Sequence, residues 1–415
     1  QRLTNSLQSE QWSDSITPIA EKVALGQRLS IEDGLVLFEH PNLNEVGRLA
    51  DFVRRSRFEN FAFFNSNVHV NQTNVCVLAC RFCAFRRSKN SADAYSLDID
   101  AYVEDLSKYA DYVDEVHSVG GLHPDWDVYH YRDLFKTVKS KFPHITIKAL
   151  TAVEIKHLSQ LSSISYREVL TILKDAGLGS LPGGGAEILD DEIRAIICPD
   201  KVNTAQWLSV METAHGLGLR STATIMFGHV DGPINWARHL LRLRDLQSRT
   251  GGFTEFVPLP FVSLEAPIYL KGKARQGPTF RESVLMHAVG RLALHPHFRN
   301  IQASWVKMGP EGVQACLNAG VNDLGGTLMN ETITRAAGAA HGEEMPPEDM
   351  EAMIRAAGRT PKQRSTLYDD VAEDRTAVSF IADELSPVVL PRALRYERSE
   401  TPRGPLSRPG LDAAE

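Results

Sequence analysis

The chain has no hydrophobic run approaching the roughly 18–20 apolar residues that a membrane-spanning helix needs, although 43% of its 415 residues are hydrophobic. A membrane role is therefore not expected. An excess of positive charge is missing too: 45 basic residues face 52 acidic ones, for a net charge of −7. Nucleic-acid binders usually carry a basic excess or stripe, so nucleic acid is not an expected partner. The opening residues, QRLTNSLQSEQWSDS, lack the apolar core of a secretory signal. Together these absences point to the cytoplasm, where thiols stay reduced. Cysteine is scarce, with five in all: Cys76, Cys80, Cys83, Cys198 and Cys316. An odd, small count argues against a disulfide framework and directs attention to metal binding or catalysis. No short internal repeat is evident.

What is present is an alternation of strand-like and helix-like segments from about residue 67 to residue 326. Strands are expected near Val68–Asn74, Asp114–Val119, Ile145–Leu150, Leu178–Leu181, Ser221–Phe227, Thr254–Val257, Asn300–Ser304 and Val321–Leu324. Helical spacing lies between them, as in Ile99–Tyr109, where Val103, Leu106 and Tyr109 share one side. Gly177, Gly216 and Gly320 follow such segments as C-cap signals. Strands alternating with helices in this way predict an α/β fold, a TIM-type (β/α)8 barrel or a near-complete one. Residues 1–60 read as a helical preface, with Ser30-Ile-Glu-Asp33 as a capping box in which Asp replaces Glu. The barrel is expected over residues 61–330 and C-terminal helices over residues 331–370. Residues 371–415 end in a stretch rich in Pro, Arg and Glu, expected to be a disordered tail.

Three cysteines crowd into one loop after the first expected strand: His69-Val-Asn-Gln-Thr-Asn74-Val-Cys76-Val-Leu-Ala-Cys80-Arg-Phe82-Cys83. Their spacing is CxxxCxxC. Three thiolates on a short loop can hold three irons of a [4Fe–4S] cluster and leave the fourth iron open. An open iron is what a cluster needs to bind and reduce a small molecule such as S-adenosylmethionine (SAM). A zinc site is the competing explanation, but zinc usually takes four protein ligands, often in paired C-x2-C units. No second pair exists, and Cys198 and Cys316 read as buried small hydrophobes. Barrel active sites lie at the C-terminal ends of strands, which is where this loop falls.

Other polar or glycine-rich segments fall at the same face. Gly120-Gly121-Leu-His123 follows the second strand, Glu154 the third and Pro182-Gly183-Gly184-Gly185-Ala186-Glu187 the fourth. Thr224 lies within the fifth strand and His229 just past it. Glu255 lies within the sixth strand, and Asn322-Asp323 lie at the eighth. Each has a plainer reading as well: a tight turn, a helix-terminal carboxylate, a structural histidine. Asn74, His123, Glu154, Gly184, Thr224, His229, Glu255, Asn322 and Asp323 are the candidates for contact with substrate.

The cluster loop, with TNVC and CRFCAF, resembles the radical SAM group that contains the deazaflavin-synthase subunits and aminofutalosine synthase of menaquinone synthesis. The resemblance covers roughly residues 15–370. TATIMFGHVD (Thr222–Asp231), GGFTEFVPLPF (Gly251–Phe261), EAPIYLKGKARQGPTF, NIQASWVKMG and AGVNDLGGTLMNETITRAAGAAHG are similar to the deazaflavin-synthase subunit that transfers 4-hydroxybenzyl from tyrosine. HSVGGLHPD, KALTAVEI and LPGGGAEI look more like aminofutalosine synthase. The transferases are expected to carry Gln at Val119, and Thr-Ala where Gly184-Gly185 stand. The longer C-terminal stretch favours the transferase.

This resemblance implies one [4Fe–4S] cluster on Cys76, Cys80 and Cys83, with Phe82, Gly120, Gly121 and Glu187 at SAM. It also implies a reaction. Reductive cleavage of SAM yields methionine and an adenosyl radical, which takes a hydrogen atom from L-tyrosine. The side chain then leaves as a 4-hydroxybenzyl radical, with 2-iminoacetate as the other fragment, and adds to 5-amino-6-(D-ribitylamino)uracil. A low-potential electron donor and a second radical SAM subunit that closes the deazaflavin ring, on the way to coenzyme F-420, are the implied partners. A non-catalytic iron–sulfur or zinc protein is the reading from another class.

Overall fold

The computed structural model describes residues 10–339 and 341–383. Ten strands are assigned: β1 (Phe61–Asn65), β2 (Asn67–His69), β3 (Glu115–Ser118), β4 (Thr146–Ala149), β5 (Leu178–Leu181), β6 (Arg220–Phe227), β7 (Phe253–Pro260), β8 (Asn300–Ile301), β9 (Asp323–Gly326) and β10 (Thr360–Gln363). Strands β2 to β8 form one parallel sheet in sequence order, each joined to the next through a helix or helices. Right-handed crossovers of this kind curl a parallel sheet toward a barrel.

Closure of the ring differs from the simple eight-strand expectation. β9 pairs in parallel with β1, and β10 takes the other edge of β1, giving a separate three-stranded sheet. Because β1 runs almost directly into β2, β9 is carried to the seam. There Asp323 of β9 bridges Gln302, just past β8, and Met329, three residues beyond β9, bridges Val68 of β2. The seam bonds are few but good: Ala303 N–H to the Asp323 carbonyl at 2.9 Å and His69 N–H to the Met329 carbonyl at 2.8 Å. The barrel is closed by backbone at a seam too short to count as a continuous ladder.

Local chemistry explains most element ends. Ser30 accepts from Asp33 N–H while Asp33 caps the Ser30 N–H, so the expected capping box is present. Gly177 and Gly320 take positive φ, +112° and +96°. Gly216 instead belongs to its helix, and Gly218, at φ +80°, makes the left-handed turn. A third helix, Leu43–Phe58, packs across the helix Phe280–Ala293. Val70–Asn74, expected as strand, is loop. The C-terminal helices expected over residues 331–370 are Ile333–Ala336 and Pro347–Ala356. A helix, Glu373–Ser379, lies where the tail was expected to begin. The remainder of that expected tail, residues 384–415, lies outside the described residues.

The core sits between sheet and helices. Val68, Val116 and Ile147, register neighbours on β2, β3 and β4, are fully buried on the outer face of the sheet. The opposite face of the same strands carries Asn67, His69, Glu115, His117, Thr146 and Lys148. Lys148 Nζ on β4 reaches Glu255 Oε1 on β7 at 3.3 Å. Two strands separate β4 from β7, so that contact is possible only across the concave side. The barrel lumen is therefore polar along these strands.

Candidate active site

The cysteine loop leaves β2 and folds over the C-terminal mouth of the barrel. Its backbone is tied down at both ends: Cys76 N–H donates to the Arg87 carbonyl at 3.0 Å and Arg87 N–H to the Asn74 carbonyl at 2.7 Å. Asn74 does more of the same work. Its Nδ2 donates to the Asp93 carbonyl at 2.9 Å, and its Oδ1 accepts from Tyr95 N–H at 2.8 Å. Buried Arg87 donates to the carbonyls of Ala84, Phe85 and Arg86 and to Asp93.

Cys76, Cys80 and Cys83 form no disulfide and are only partly buried. Burial raises the Cys76 thiol and pushes Cys80 up to about 12, with the Cys83 sulfur adding to both. Thiols held so high stay protonated unless a cation stabilises the thiolate, so metal uptake here must release protons. Among the described residues no three His, Cys, Asp or Glu side chains converge on a single ion position. A cubane does not require that. Its three thiolates bind three different irons and stand apart. Three partly exposed thiols set apart on one loop fit a cluster better than a single ion.

The second strand-end segment packs directly under this loop. A Cβ on Gly121 would lie 2.0 Å from the Val75 carbonyl oxygen and 3.0 Å from the Cys76 Cβ. Gly121 N–H donates to the Thr73 carbonyl at 2.8 Å. The glycine pair is thus demanded by close approach of the cysteine loop. Glu154 secures it from below: Oε1 accepts from Gly120 N–H at 3.2 Å and from Gln72 Nε2 at 3.3 Å. Its Oε2 accepts from Thr151 N–H at 2.6 Å, within a capping box on the helix Ala152–Ser162. Burial raises the Glu154 carboxyl to about 7, against those hydrogen bonds.

Glu187 and Phe82 meet through a residue the sequence did not single out. Lys201 Nζ lies 2.5 Å from Glu187 Oε1 and 5.2 Å from the centre of the Phe82 ring. Burial alone would lower this ammonium, but Glu187 together with the Cys80 and Cys198 sulfurs holds Lys201 above its ordinary value. Cys80 and Cys198 lie close enough to feel the same charge. Lys201 thus places a buried positive charge beside the Cys80 sulfur. The glycine run is fixed by packing: Gly183 N–H donates to Thr222 Oγ1 at 2.6 Å, and Thr224 Oγ1 donates to the Gly183 carbonyl at 2.7 Å. A Cβ on Gly184 would press on the Thr151 methyl at 3.1 Å.

Other candidates stand away from the cysteines or are bound up in structure. His123 stacks on Trp126 at 4.3 Å, and Trp126 stacks in turn on His130. His229 closes its own turn, with Nε2 donating to the Met226 carbonyl at 3.0 Å and Nδ1 accepting from Val230 N–H at 2.8 Å. Asn322 Oδ1 accepts from Arg291 and from Ile301 N–H, and its Nδ2 donates to Asn300. Asp323 takes a two-pronged bond from Arg364, at 2.5 and 3.0 Å. Of this group Glu255 faces the chamber, paired with Lys148, and the Asp323–Arg364 pair lies close enough to feel the Glu255 charge.

Three lumen residues escaped the sequence reading: His69, His117 and Lys148. Burial lowers both imidazoles; it would lower Lys148 too, but Glu115 and Glu255 hold the ammonium above its ordinary value. Above them the register pair Met226 and Leu259 is only partly buried. An apolar shelf over a polar floor, opening beneath the cysteine loop, can hold an aromatic polar molecule.

Comparison with known proteins agrees with this geometry. Residues 70–241 match the radical SAM superfamily, and residues 250–376 match the CofH/MqnC C-terminal region. The fold is shared with HydG, a maturase of the [FeFe]-hydrogenase, at TM-score 0.67 and 17% identity over 88% of this chain and 79% of that one. Methylornithine synthase (PylB) follows at TM-score 0.63 and 17% identity, covering 83% of this chain and 97% of that one. FO synthase of Streptomyces coelicolor is 45% identical over 368 residues, 88% of this chain and 42% of its own length. The chain thus spans less than half of the FO synthases it matches.

Two shorter relatives match nearly end to end, and both are named 5-amino-6-(D-ribitylamino)uracil–L-tyrosine 4-hydroxyphenyl transferase. The one from Methanothermobacter thermautotrophicus is 42% identical over 78% of this chain and 89% of its own length. The one from Methanopyrus kandleri is 46% identical over 74% of this chain and 84% of its own length. With identity at that level along most of both relatives, the chain belongs to the radical SAM family of 5-amino-6-(D-ribitylamino)uracil–L-tyrosine 4-hydroxyphenyl transferases.

Proposed function

We propose that this chain transfers the 4-hydroxybenzyl group of L-tyrosine to 5-amino-6-(D-ribitylamino)uracil in deazaflavin synthesis, releasing 2-iminoacetate, methionine and 5′-deoxyadenosine. The observation that carries the reading is the three-thiol loop set over a polar barrel lumen with an apolar shelf. A [4Fe–4S] cluster with one open iron, when bound, supplies the electron that cleaves SAM and so the radical that starts the reaction. Everything else is work for the chain. Cys76, Cys80 and Cys83 hold the cluster. The Gly120–Gly121 backbone and the Lys201–Glu187–Phe82 group line the space beside it, where SAM would lie. Glu154 keeps Gly120 in place by accepting its N–H.

Below, the lumen excludes bulk water and presents fixed dipoles to the substrates, which favours radical chemistry over side reactions. Ring closure to the deazaflavin is assigned to a second radical SAM unit, because these residues offer one cysteine triplet. A low-potential donor supplies the electron.

An anaerobic assay of the reconstituted chain tests the reading. With tyrosine, the ribityl-uracil, SAM and a reductant, mass spectrometry should find 5′-deoxyadenosine and the hydroxybenzyl adduct in step. No 5′-deoxyadenosine above the uncoupled background would sink it. Incorporation of the adenosyl group into an enolpyruvyl benzoate would instead favour aminofutalosine synthase, toward which the HSVGGLHPD and LPGGGAEI segments lean. Cys80→Ser should lose cluster iron, while Cys198→Ser and Cys316→Ala, buried away from solvent, should keep it.

A further inference from the structure

The chamber floor holds a pair of imidazoles with no task inside the protein. His69 and His117 are register partners on β2 and β3. Their rings stack, with centroids 4.6 Å apart and planes 8° from parallel. His69 is 7% exposed, and neither its Nδ1 nor its Nε2 has a hydrogen-bond partner. Buried polar groups are almost always hydrogen-bonded, so two bare ring nitrogens on one side chain call for an external partner. His117 keeps a side-chain exposure of 20% from the middle of the sheet, and its Nδ1 is 4.0 Å from Glu115. Since β3 has strands on both sides and its outer face is packed under helices, that exposure is to the lumen.

The chemistry of the floor says what the partner offers. Its cations are already engaged: Lys148 with Glu255 at 3.3 Å, and Arg364 with Asp323. Glu115, Glu255 and Glu331 place negative charge around the same space, and Glu255 Oε2 is also buried and unpartnered. The surplus is in acceptors, so a carboxylate or phosphate would be repelled, whereas a hydroxyl donor would be satisfied. Burial keeps both imidazoles below their ordinary values, hence neutral, each with a free lone pair. Met226 and Leu259 offer an apolar surface on the same concave side. An aromatic ring with a hydroxyl at its far end fits both halves of this environment, with its amino-acid end toward the cysteine loop.

We propose that His69, backed by the stacked His117, accepts a hydrogen bond from the phenolic hydroxyl of bound tyrosine and so selects a hydroxyaryl amino acid over a plain aryl one. The proposal rests on the function given above. It makes His69 a binding residue that reads the far end of the substrate.

The test is equilibrium binding of L-tyrosine, L-phenylalanine and the ribityl-uracil to the reconstituted full chain, by calorimetry. Wild type should prefer tyrosine over phenylalanine by about tenfold or more, the scale of a buried hydroxyl contact. His69→Phe should reduce that ratio to about one through lost tyrosine affinity, with iron content and ribityl-uracil affinity unchanged. His69→Gln, which restores an acceptor, should recover part of the ratio. If the Phe variant does not fold by circular dichroism, His69→Leu gives the same readout in a smaller apolar side chain. A preference for tyrosine untouched by these variants overturns the assignment to His69 while leaving the proposed function standing. Loss of ribityl-uracil affinity instead overturns it in favour of the uracil at this floor. A wild type that binds no tyrosine removes both the assignment and the proposed function.

Discussion

Gly121→Ala is the sharpest probe of how the barrel supports the cysteine loop. The added methyl would lie 2.0 Å from the Val75 carbonyl oxygen, 2.5 Å from its carbon and 3.0 Å from the Cys76 Cβ. Two of these atoms are backbone, so no rotamer change relieves the clash. Overpacking of this kind costs about 1–3 kcal/mol, and the rigid partner argues for the upper end. Replacing glycine by alanine also restricts the unfolded chain, which returns about 0.4–1 kcal/mol. The net is a loss of about 2 kcal/mol, concentrated at the loop because the loop can move and the sheet beneath cannot. Thermal unfolding should fall by several degrees at about 2–4 °C per kcal/mol. Iron content and the broad absorbance near 400 nm should drop to less than half of wild type, since Cys76 is displaced from its partners. Gly216→Ala is the control: its Cβ would meet only Arg167 Nη2, at 3.9 Å, on an exposed helix end. It should leave iron unchanged and stabilise by up to about 1 kcal/mol. A Gly121→Ala chain with full iron and an unchanged or higher melting temperature would refute the packing argument.

Three further outcomes follow from buried charge. Glu154 is raised to about 7 by burial, above its unfolded value, so the unfolded state releases its proton first as pH rises. Its contribution to stability is therefore full below about pH 4.5 and is lost between there and pH 7, by about 3 kcal/mol. Urea unfolding across that range should show a shallower decline in Glu154→Gln than in wild type; identical slopes would refute the assignment. Arg364→Met leaves Asp323, fully buried, without its partner. It should cost about 3–5 kcal/mol in chemical denaturation, and a loss below about 1 kcal/mol would show that water reaches the pair. Lys201→Met strands the Glu187 carboxylate, whose side chain is 13% exposed, and should weaken SAM binding more than it lowers the melting temperature; the reverse order would make Lys201 a purely structural residue.

Which parts of the fold were legible follows from burial. β6 reads as STATIMF, a β-branched and apolar run, and it is buried along nearly its whole length. β10 is TPKQ with only its last residue buried, and no pattern of apolar residues could announce it. β1 is FAFFN, apolar enough to be a strand, but it lies immediately after the helix Leu43–Phe58 and merges with that helix's apolar spacing. The eighth strand was legible, but its pairing with β1 was therefore not. That strand pairs with β1 in a separate sheet, a relation set by contacts some 260 residues apart in sequence.

The site divides along a similar line. The cysteines were legible because their spacing is itself the chemistry. Lys201 was not, since what ties it to Glu187, fourteen residues away, and to the far more distant Phe82 is a contact made by the fold. The lumen is the instructive case, because its signal was present. Asn67-Val-His69, Glu115-Val-His117 and Thr146-Ile-Lys148 all alternate polar and apolar. In an antiparallel sheet that alternation marks a face in water, whereas parallel strands buried on both faces read as continuous apolar runs. Three adjacent barrel strands with polar residues in the same register cannot all face solvent, because helices cover the outside. The polar face must then be the inner one. A barrel usually fills its interior with branched apolar side chains, so polar residues there mean a lined chamber rather than a packed core. Alternation within a predicted barrel is thus itself evidence for a ligand, and it identifies the strands that hold it before any loop is considered.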